Sequence, residues 1–142
     1  MDTCPISARS LTKHYGIDGD LFERQYKTHL SGYGNWSQKA HATEYMVFPR
    51  NTGEYLCIDE TALSNGELYT IITRMDAHGH KKALVAMIKG TAASIVSQYI
   101  KKIPTPQRMA VKEVTMDLSD SMCAIARECF PNARITIDRF HV

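Results

Sequence analysis

The sequence predicts an α/β protein built around a mixed β-sheet, and two observations lead to this class. Short runs rich in β-branched and aromatic residues predict strands, and two later segments repeat apolar residues at helical spacings of three and four. Apolar residues make up 44% of the 142 residues and charged residues 23%, which is typical of a globular protein. No apolar run approaches the roughly 20 residues of a membrane span, and no secretory signal is evident, so we expect a cytoplasmic protein.

The predicted sheet begins at residue 54 with three consecutive strands. They are built on residues 55–58, 68–73 and 83–88, and turns are expected at residues 64–67 and 77–80. The first of these turns contains an Asn-Gly pair, which tolerates the positive φ of a tight hairpin. Short turns between three consecutive strands predict an antiparallel meander.

Two helices and two further strands complete the expected order. The first helix places apolar residues on one face and is expected to end at the prolines that follow it: Ala92, Ile95, Val96, Tyr99, Ile100, Ile103, then Pro104 and Pro106. A strand at residues 111–116 follows, then a helix capped by Ser119 or Asp120, and a strand at residues 134–137. The order β-β-β-α-β-α-β, with right-handed crossovers into two parallel strands, predicts an RNase H-like sheet in residues 54–142.

The first 48 residues predict a small helical segment, joined to the sheet by a linker at residues 49–53. Apolar residues can form stripes on two short helices, with Gly16 ending the first and Asp18 or Asp20 capping the second. This is the outline of a helix-turn-helix, in which the second helix would present Arg24, Gln25 and Lys27 to DNA. Any helical hairpin would show a similar pattern, so that alternative stays open.

The distribution of charged residues and of cysteines indicates which partners and metal sites to expect. No acidic residue occurs between Asp76 and Glu113, whereas that stretch holds seven Lys and Arg residues, including Lys81, Lys82 and Lys89. Such a stretch suits a polyanion, but it also fits a solvated surface balanced by acids elsewhere in the fold. The four cysteines lack the paired spacing of a zinc site, which predicts buried free thiols.

Two acidic residues follow strands that should be neighbours. Asp59 is expected at the end of the first strand of the sheet and Asp117 at the end of the fourth. Adjacent strands lie about 4.8 Å apart, so the two carboxylates would converge and offer the hard oxygen ligands that Mg²⁺ or Mn²⁺ prefers. An aspartate that ends a strand by itself is more often a turn cap, and the pair in this topology makes the metal interpretation stronger.

Three strings resemble the DDE transposases of bacterial insertion sequences. They are Cys57-Ile58-Asp59-Glu60-Thr61-Ala62-Leu63, Val114-Thr115-Met116-Asp117, and Phe130-Pro131-Asn132-Ala133 followed by Asp138-Arg139-Phe140-His141-Val142. The chain is most similar to the ISL-three group and its short, split relatives, and the resemblance extends over essentially the whole sequence.

The resemblance implies a role for each matching residue. Asp59 and Asp117 would be the first and second catalytic aspartates of a site that takes two Mg²⁺ or Mn²⁺ ions. Glu60 matches the family string, but its side chain should point to the other face of its strand. Asp138 and His141 match the family's D-R-F-H motif and would support the site or grip DNA.

The resemblance also implies binding partners and a missing catalytic residue. The partner would be double-stranded DNA at the terminal repeats of a transposon, with self-association or a full-length transposase as further partners. The third acid of such enzymes is a glutamate on a helix after the fifth strand, and this sequence ends before it. We therefore expect a transposase fragment that is inactive by itself.

Two alternatives remain open. The chain would be a non-catalytic DNA-binding module that reads transposon ends, or a cellular RNase H-like nuclease, which predicts a complete site within the chain.

Overall fold

The computed structural model describes residue 10 and residues 15–63, 66–77 and 79–138. The described residues form two compact units, one extending to Ala40 and the other beginning at His41. Residues 49–53, expected to be a linker, lie in the second unit, where Pro49–Asn51 form a 3-10 turn. This turn is attached to the sheet, since the Asn51 side chain donates a hydrogen bond to the Leu84 carbonyl at 2.7 Å.

In the first unit, helix α1 (Gly19–Gln25) continues into a π-helical turn at Tyr26–Leu30. Asp18 caps α1, as the sequence predicts: its carboxylate accepts hydrogen bonds from the backbone N–H groups of Asp20 and Leu21 at 3.0 and 3.1 Å. Most of the first predicted helix lies outside the described residues. The helix-turn-helix arrangement therefore stays a prediction.

The second unit contains one six-stranded sheet. Its strands are β1 (Tyr45–Val47), β2 (Tyr55–Ala62), β3 (Leu68–Arg74), β4 (Leu84–Lys89), β5 (Glu113–Met116) and β6 (Arg134–Ile137). Their order across the sheet is β1-β4-β3-β2-β5-β6. Strand β2 pairs antiparallel with β3 and parallel with β5, and β5 pairs parallel with β6. The predicted α/β class and mixed RNase H-like sheet are confirmed, with β1 as an additional edge strand.

Three helices connect the later strands: α2 (Ala93–Ile100), α3 (Thr105–Met109) and α4 (Asp120–Cys129). The Ser119 hydroxyl caps α4 by accepting from the Met122 N–H at 3.4 Å, as predicted. The expectation that Pro106 ends the preceding helix is wrong. Helix α2 already ends at Ile100, and Pro106 occupies the first turn of α3, where a backbone N–H has no helical partner to lose. No helix in the described part of the chain has the length and apolar character to cross a bilayer.

The core lies between the sheet and helices α2 and α4. Alternate strand residues are buried on this side, among them Leu56 and Ile58 of β2 and Val114 and Met116 of β5. Phe130, directly after α4, is 1% exposed and is the largest fully buried side chain. Because side chains alternate along a strand, the residues between the buried ones lie on the opposite side of the sheet.

That opposite side, here called the open face, carries half-buried and exposed residues. They include Cys57 and Asp59 of β2, Ile71 and Thr73 of β3, and Thr115 of β5. A groove of 440 Å³ is lined by these residues together with Asp138. The open face is therefore accessible to solvent in the described structure.

Candidate active site

Three aspartates lie side by side, in one row, on the neighbouring parallel strands β2, β5 and β6. Each follows a residue that is paired with its counterpart on the next strand. Ile58 is the partner of Met116, and Met116 is the partner of Ile137. Asp59, Asp117 and Asp138 each follow one of these paired residues in the chain. Asp138 lies just after β6 and still pairs with β5, because its N–H donates a hydrogen bond to the Met116 carbonyl at 2.8 Å.

The position of Asp59 within its strand differs from the prediction. The sequence places Asp59 at the end of a strand, whereas β2 continues to Ala62. The pairing explains the difference: antiparallel contact with β3 extends from Leu56 to Ala62, while parallel contact with β5 ends at Ile58. Asp59 thus lies where the parallel partner ends, which still brings it beside Asp117.

The supporting residues of the family motif fall in different places. Glu60 pairs with Thr70, which is buried on the core side, so alternation directs Glu60 away from the open face. Asp138 lines the same cavity as Asp59 and Asp117. His141 lies outside the described residues, so its predicted role is not addressed by the structure.

A small hollow of 60 Å³ lies among the three aspartates, and Cys57 also lines it. Burial raises the pKa of the Cys57 thiol, and the negative charges of Asp59, Asp117 and Asp138 raise it further. Cys57 is only half-buried, because the alternation that turns Asp59 toward the open face turns Cys57 the same way. Sequence reasoning grouped Cys57 with the buried thiols and so missed its place in the hollow, although the same alternation would have indicated it.

The donor chemistry of this row fits a hard divalent cation, because Asp59 and Asp117 offer carboxylate oxygens from adjacent strands. The side chains as they stand are not gathered around one point. Within the described residues, no three His, Cys, Asp or Glu side chains are close enough together to hold a metal ion. One oxygen of Asp59 accepts a hydrogen bond from the Glu60 N–H at 2.8 Å, so its carboxylate is turned along its own strand.

The DNA-binding residues predicted in the first unit are exposed. Arg24, Gln25 and Lys27 lie on α1 and the π-helical turn that follows it. The Lys27 ammonium lies 5.6 Å from the centre of the Tyr33 ring, where it makes a cation–π contact. These side chains are exposed in the described structure.

The basic stretch of the second unit divides into two kinds of residue. Several of its cations are paired with acids from elsewhere in the fold: Lys89 with Glu67, Lys101 with Glu128 and Lys112 with Glu54. For these residues the balanced surface is the better interpretation of the pattern. Exposed ion pairs contribute only about 0–1 kcal/mol, so these three pairs add little to the stability of the fold.

Lys81 and Lys82 are exposed in the loop between β3 and β4. Leu68 at the start of β3 pairs with Ala62, and Arg74 at its end pairs with Leu56. The loop after β3 therefore lies beside the start of β2. The aspartate row lies toward the other end of the parallel strands. DNA that contacts both Lys81 and the row would therefore have to extend along the sheet.

Comparison with known proteins places the chain in a family. The family model of the DDE transposases of the ISL3 (ISL-three) group, described as a transposase, matches residues 56–142. The match includes all three aspartates and every strand from β3 to β6. No curated protein matches the chain at a significant level. Since the family model covers more than half of the sequence and agrees with the fold, the chain belongs to the ISL3 family of DDE transposases.

Proposed function

We propose that this chain takes part in DNA strand cleavage and transfer during the transposition of an insertion sequence, with Asp59 and Asp117 as carboxylates of its divalent-cation site. The observation that carries this proposal is the register of the parallel strands. The residues preceding the two aspartates, Ile58 and Met116, are paired directly across β2 and β5. The family match supplies the reaction class.

The chemistry follows from where the residues lie. When bound, divalent cations activate the attacking oxygen and stabilise the leaving oxygen of the phosphodiester. Asp59 and Asp117 would hold the cation at the open face, where a DNA backbone can approach. We expect weak binding, because the Glu60 N–H already occupies one oxygen of Asp59 and competes with a cation for it.

The cation claim is tested by thermal unfolding with and without Mn²⁺. A cation that binds only the folded state stabilises it by mass action, so a Kd of about 1 mM predicts about 1.4 kcal/mol at about 10 mM Mn²⁺. For a chain of this size that corresponds to a rise in Tm of about 5 °C. Asp59→Asn and Asp117→Asn should each remove the rise.

Glu60→Gln is the matched control. It removes one negative charge next to Asp59 in sequence but on the opposite side of the sheet, so the Mn²⁺-dependent rise should persist. A rise in Tm that survives both aspartate substitutions would show that the cation binds elsewhere.

Catalysis by the chain alone is expected to be absent in a cleavage assay on transposon terminal-repeat DNA. In the described residues no third His, Cys, Asp or Glu side chain joins Asp59 and Asp117 in a group that could hold a metal, and a two-metal displacement needs more ligands than two aspartates supply. Mn²⁺-dependent cleavage that is abolished by Asp117→Asn would contradict this expectation and favour a complete site within the chain.

A second candidate function is a DNA-binding module that reads transposon ends without cutting. The exposed cations Arg24 of α1 and Lys27 of the π-helical turn after it favour this function. We expect binding of duplex DNA that weakens as salt rises, because each phosphate contact releases counterions. Replacing Arg24 and Lys27 by alanine should weaken binding and lower the salt slope by about 2 if both contact phosphates.

The matched control for this prediction is the double substitution of Lys101 and Lys112 by alanine. It removes the same charge from positions that are paired with acids, so it should weaken binding less. Equal effects of the two double variants would contradict a specific role for Arg24 and Lys27 and indicate that only net charge matters.

A further inference from the structure

Two aromatic rings and two lysines of the first unit lie together, and we propose that they bind unpaired bases of single-stranded DNA. The group, here called the aromatic–lysine cluster, consists of Tyr33, Trp36, Lys27 and Lys39. It contains none of the aspartates, so the inference holds or fails independently of the proposed cation site. It also goes beyond the reading of duplex DNA by α1, because the bases concerned are not paired.

Consecutive turns bring three members of the cluster together. The Trp36 N–H donates a hydrogen bond to the Tyr33 carbonyl at 3.3 Å, and the Lys39 N–H donates one to the Trp36 carbonyl at 3.1 Å. Side chains three positions apart lie above one another in turns with this hydrogen-bond pattern. The spacing of Tyr33, Trp36 and Lys39 therefore places their side chains on one side of the chain.

Ser31 attaches the fourth member. Its hydroxyl donates a hydrogen bond to the Lys27 carbonyl at 2.9 Å and accepts one from the Tyr33 N–H at 3.3 Å. The Ser31 N–H also donates to the Tyr26 carbonyl at 2.7 Å, which closes the π-helical turn. These bonds hold Tyr33 against the turn that carries Lys27.

Positive charge is concentrated around the Tyr33 ring. The ammonium groups of Lys39 and Lys27 lie 5.2 and 5.6 Å from its centre, within the roughly 6 Å over which a cation–π attraction acts. The Trp36 ring lies 6.2 Å from the Tyr33 ring and is tilted by 38°. In the described part of the chain neither ammonium is paired with a carboxylate, whereas Lys101 is paired with Glu128. An anionic ligand would relieve the repulsion between the two ammonium groups.

The cluster is accessible and is not the core of its unit. Among the described residues of the first unit, Gly19 alone is buried. Tyr33 is 40% exposed. A Cβ added at Gly32 or Gly34, on either side of Tyr33 in the chain, would meet no atom within 4 Å. The space around Tyr33 is therefore open to a flat ligand.

An unpaired nucleotide matches both features of the cluster. Its base offers an aromatic face that stacks on tyrosine or tryptophan, and its phosphate attracts the lysines, which is how single strands are held without reading their sequence. In a duplex the same faces are already stacked on neighbouring base pairs, and unstacking them costs free energy. The cluster should therefore prefer single strands and opened ends, and the family match makes DNA the nucleic acid expected.

The first test uses tryptophan fluorescence, because Trp36 is the only tryptophan of the chain. Oligo(dT), which does not pair with itself, should quench the emission of the 142-residue chain, and added salt should reverse the quenching. A blunt-ended duplex of the same length should quench less. Emission unchanged by oligo(dT) up to about 0.1 mM, the weak end of ordinary non-specific affinities, would overturn the inference.

Substitutions then separate stacking from loss of structure. Binding is followed by the anisotropy of labelled oligo(dT), and circular dichroism confirms that each variant is folded. Trp36→Leu should weaken binding about 10-fold, as expected for the loss of one stacked base, whereas Trp36→Phe, which keeps a ring, should weaken it less than about 3-fold. Tyr26→Leu is the matched control: Tyr26 is 53% exposed in the same unit and makes no ring or cation contact with the described residues. Equal effects of Trp36→Leu and Tyr26→Leu would show that Trp36 does not stack on a base.

A second pair of variants tests the charges. Lys39→Ala should lower the salt slope of oligo(dT) binding by about 0.7, the value for one phosphate contact with a single strand. Lys101→Ala removes the same charge from a residue that is paired with Glu128, so it should change the slope less. Equal slopes for the two variants would mean that Lys39 contacts no phosphate, and the cluster would not be the site.

The remaining comparisons identify the ligand. Tyrosine, tryptophan and lysine also favour membrane interfaces, so anionic phospholipid vesicles are the competing ligand. A shift of the Trp36 emission by vesicles but not by oligo(dT) would overturn the inference in favour of a membrane surface. Asp59→Asn and Asp117→Asn should leave oligo(dT) binding unchanged. A loss of oligo(dT) binding in these two variants would place the single strand at the aspartates instead of the cluster.

Discussion

Replacing Thr70 by valine should destabilise the fold by an amount that the structure lets us work out. Thr70 lies in β3 and is completely buried, and its hydroxyl donates a hydrogen bond to the Gly90 carbonyl at 2.8 Å. Valine keeps the shape of threonine and removes only the donor. The lost bond is worth about 0.5–1.5 kcal/mol, and leaving the half-buried Gly90 carbonyl without its partner costs an amount toward the lower end of about 1–3 kcal/mol. Burial of the added methyl group returns about 0.8 kcal/mol, so we expect a net loss of about 1–2 kcal/mol.

The assay is urea unfolding at neutral pH, with Thr73→Val as the matched control. Thr73 lies on the same strand but on the open face, where it is half-buried and water can replace a hydrogen-bond partner. The control should change the free energy of unfolding by less than about 0.5 kcal/mol. The dependence on urea should keep the same slope in all three proteins. A Thr70→Val variant no less stable than Thr73→Val would refute the view that the bond to Gly90 fixes the connection after β4.

Two further predictions concern the core and the last strand. Phe130→Ala should cost about 3–5 kcal/mol in urea unfolding, because it empties the largest fully buried site, and a loss under about 1 kcal/mol would mean that the core collapses around it. Glu113 accepts hydrogen bonds from Thr136 and Arg134, which lower its pKa in the folded protein. These contacts therefore stabilise the fold fully above the pKa of Glu113 in the unfolded chain, and the stabilisation disappears as pH falls through its lower pKa in the folded protein. Glu113→Gln should therefore have a lower urea midpoint than the unsubstituted chain at pH 7 and nearly the same midpoint near pH 3, and a difference that is unchanged at low pH would contradict this origin.

Much of the fold was predictable because its strands and helices are strongly patterned. The short apolar run of β2 and the helical spacing in α2 predict a strand and a helix, and the structure confirms both elements. Strand β1 was not predicted, because three residues beside Pro49 form too short a pattern to distinguish a strand from a loop. Its pairing with β4 is a long-range contact that local sequence does not encode.

The candidate site was predictable in its chemistry and less so in its geometry. The aspartates after the first and fourth predicted strands could be paired because strand order determines which strand ends meet. The continuation of β2 past Asp59 could not be foreseen, since it depends on how far β3 extends on the other side. The inclusion of Asp138 in the row depends on the register between β5 and β6, which only the structure provides.

The two kinds of pairing made by β2 have a consequence for folding kinetics. Its antiparallel partner β3 follows after a short hairpin, whereas its parallel partner β5 is 58 positions further along the chain, as in the pair Tyr55 and Glu113. Closing the longer loop costs about 2 kcal/mol more in chain entropy, so the hairpin should form first. Asp59 would then be placed early, and Asp117 and Asp138 would join it only when the last strands dock. A cation bound to this row would slow unfolding, rather than accelerate folding, to the extent that its ligands come together after the transition state for folding.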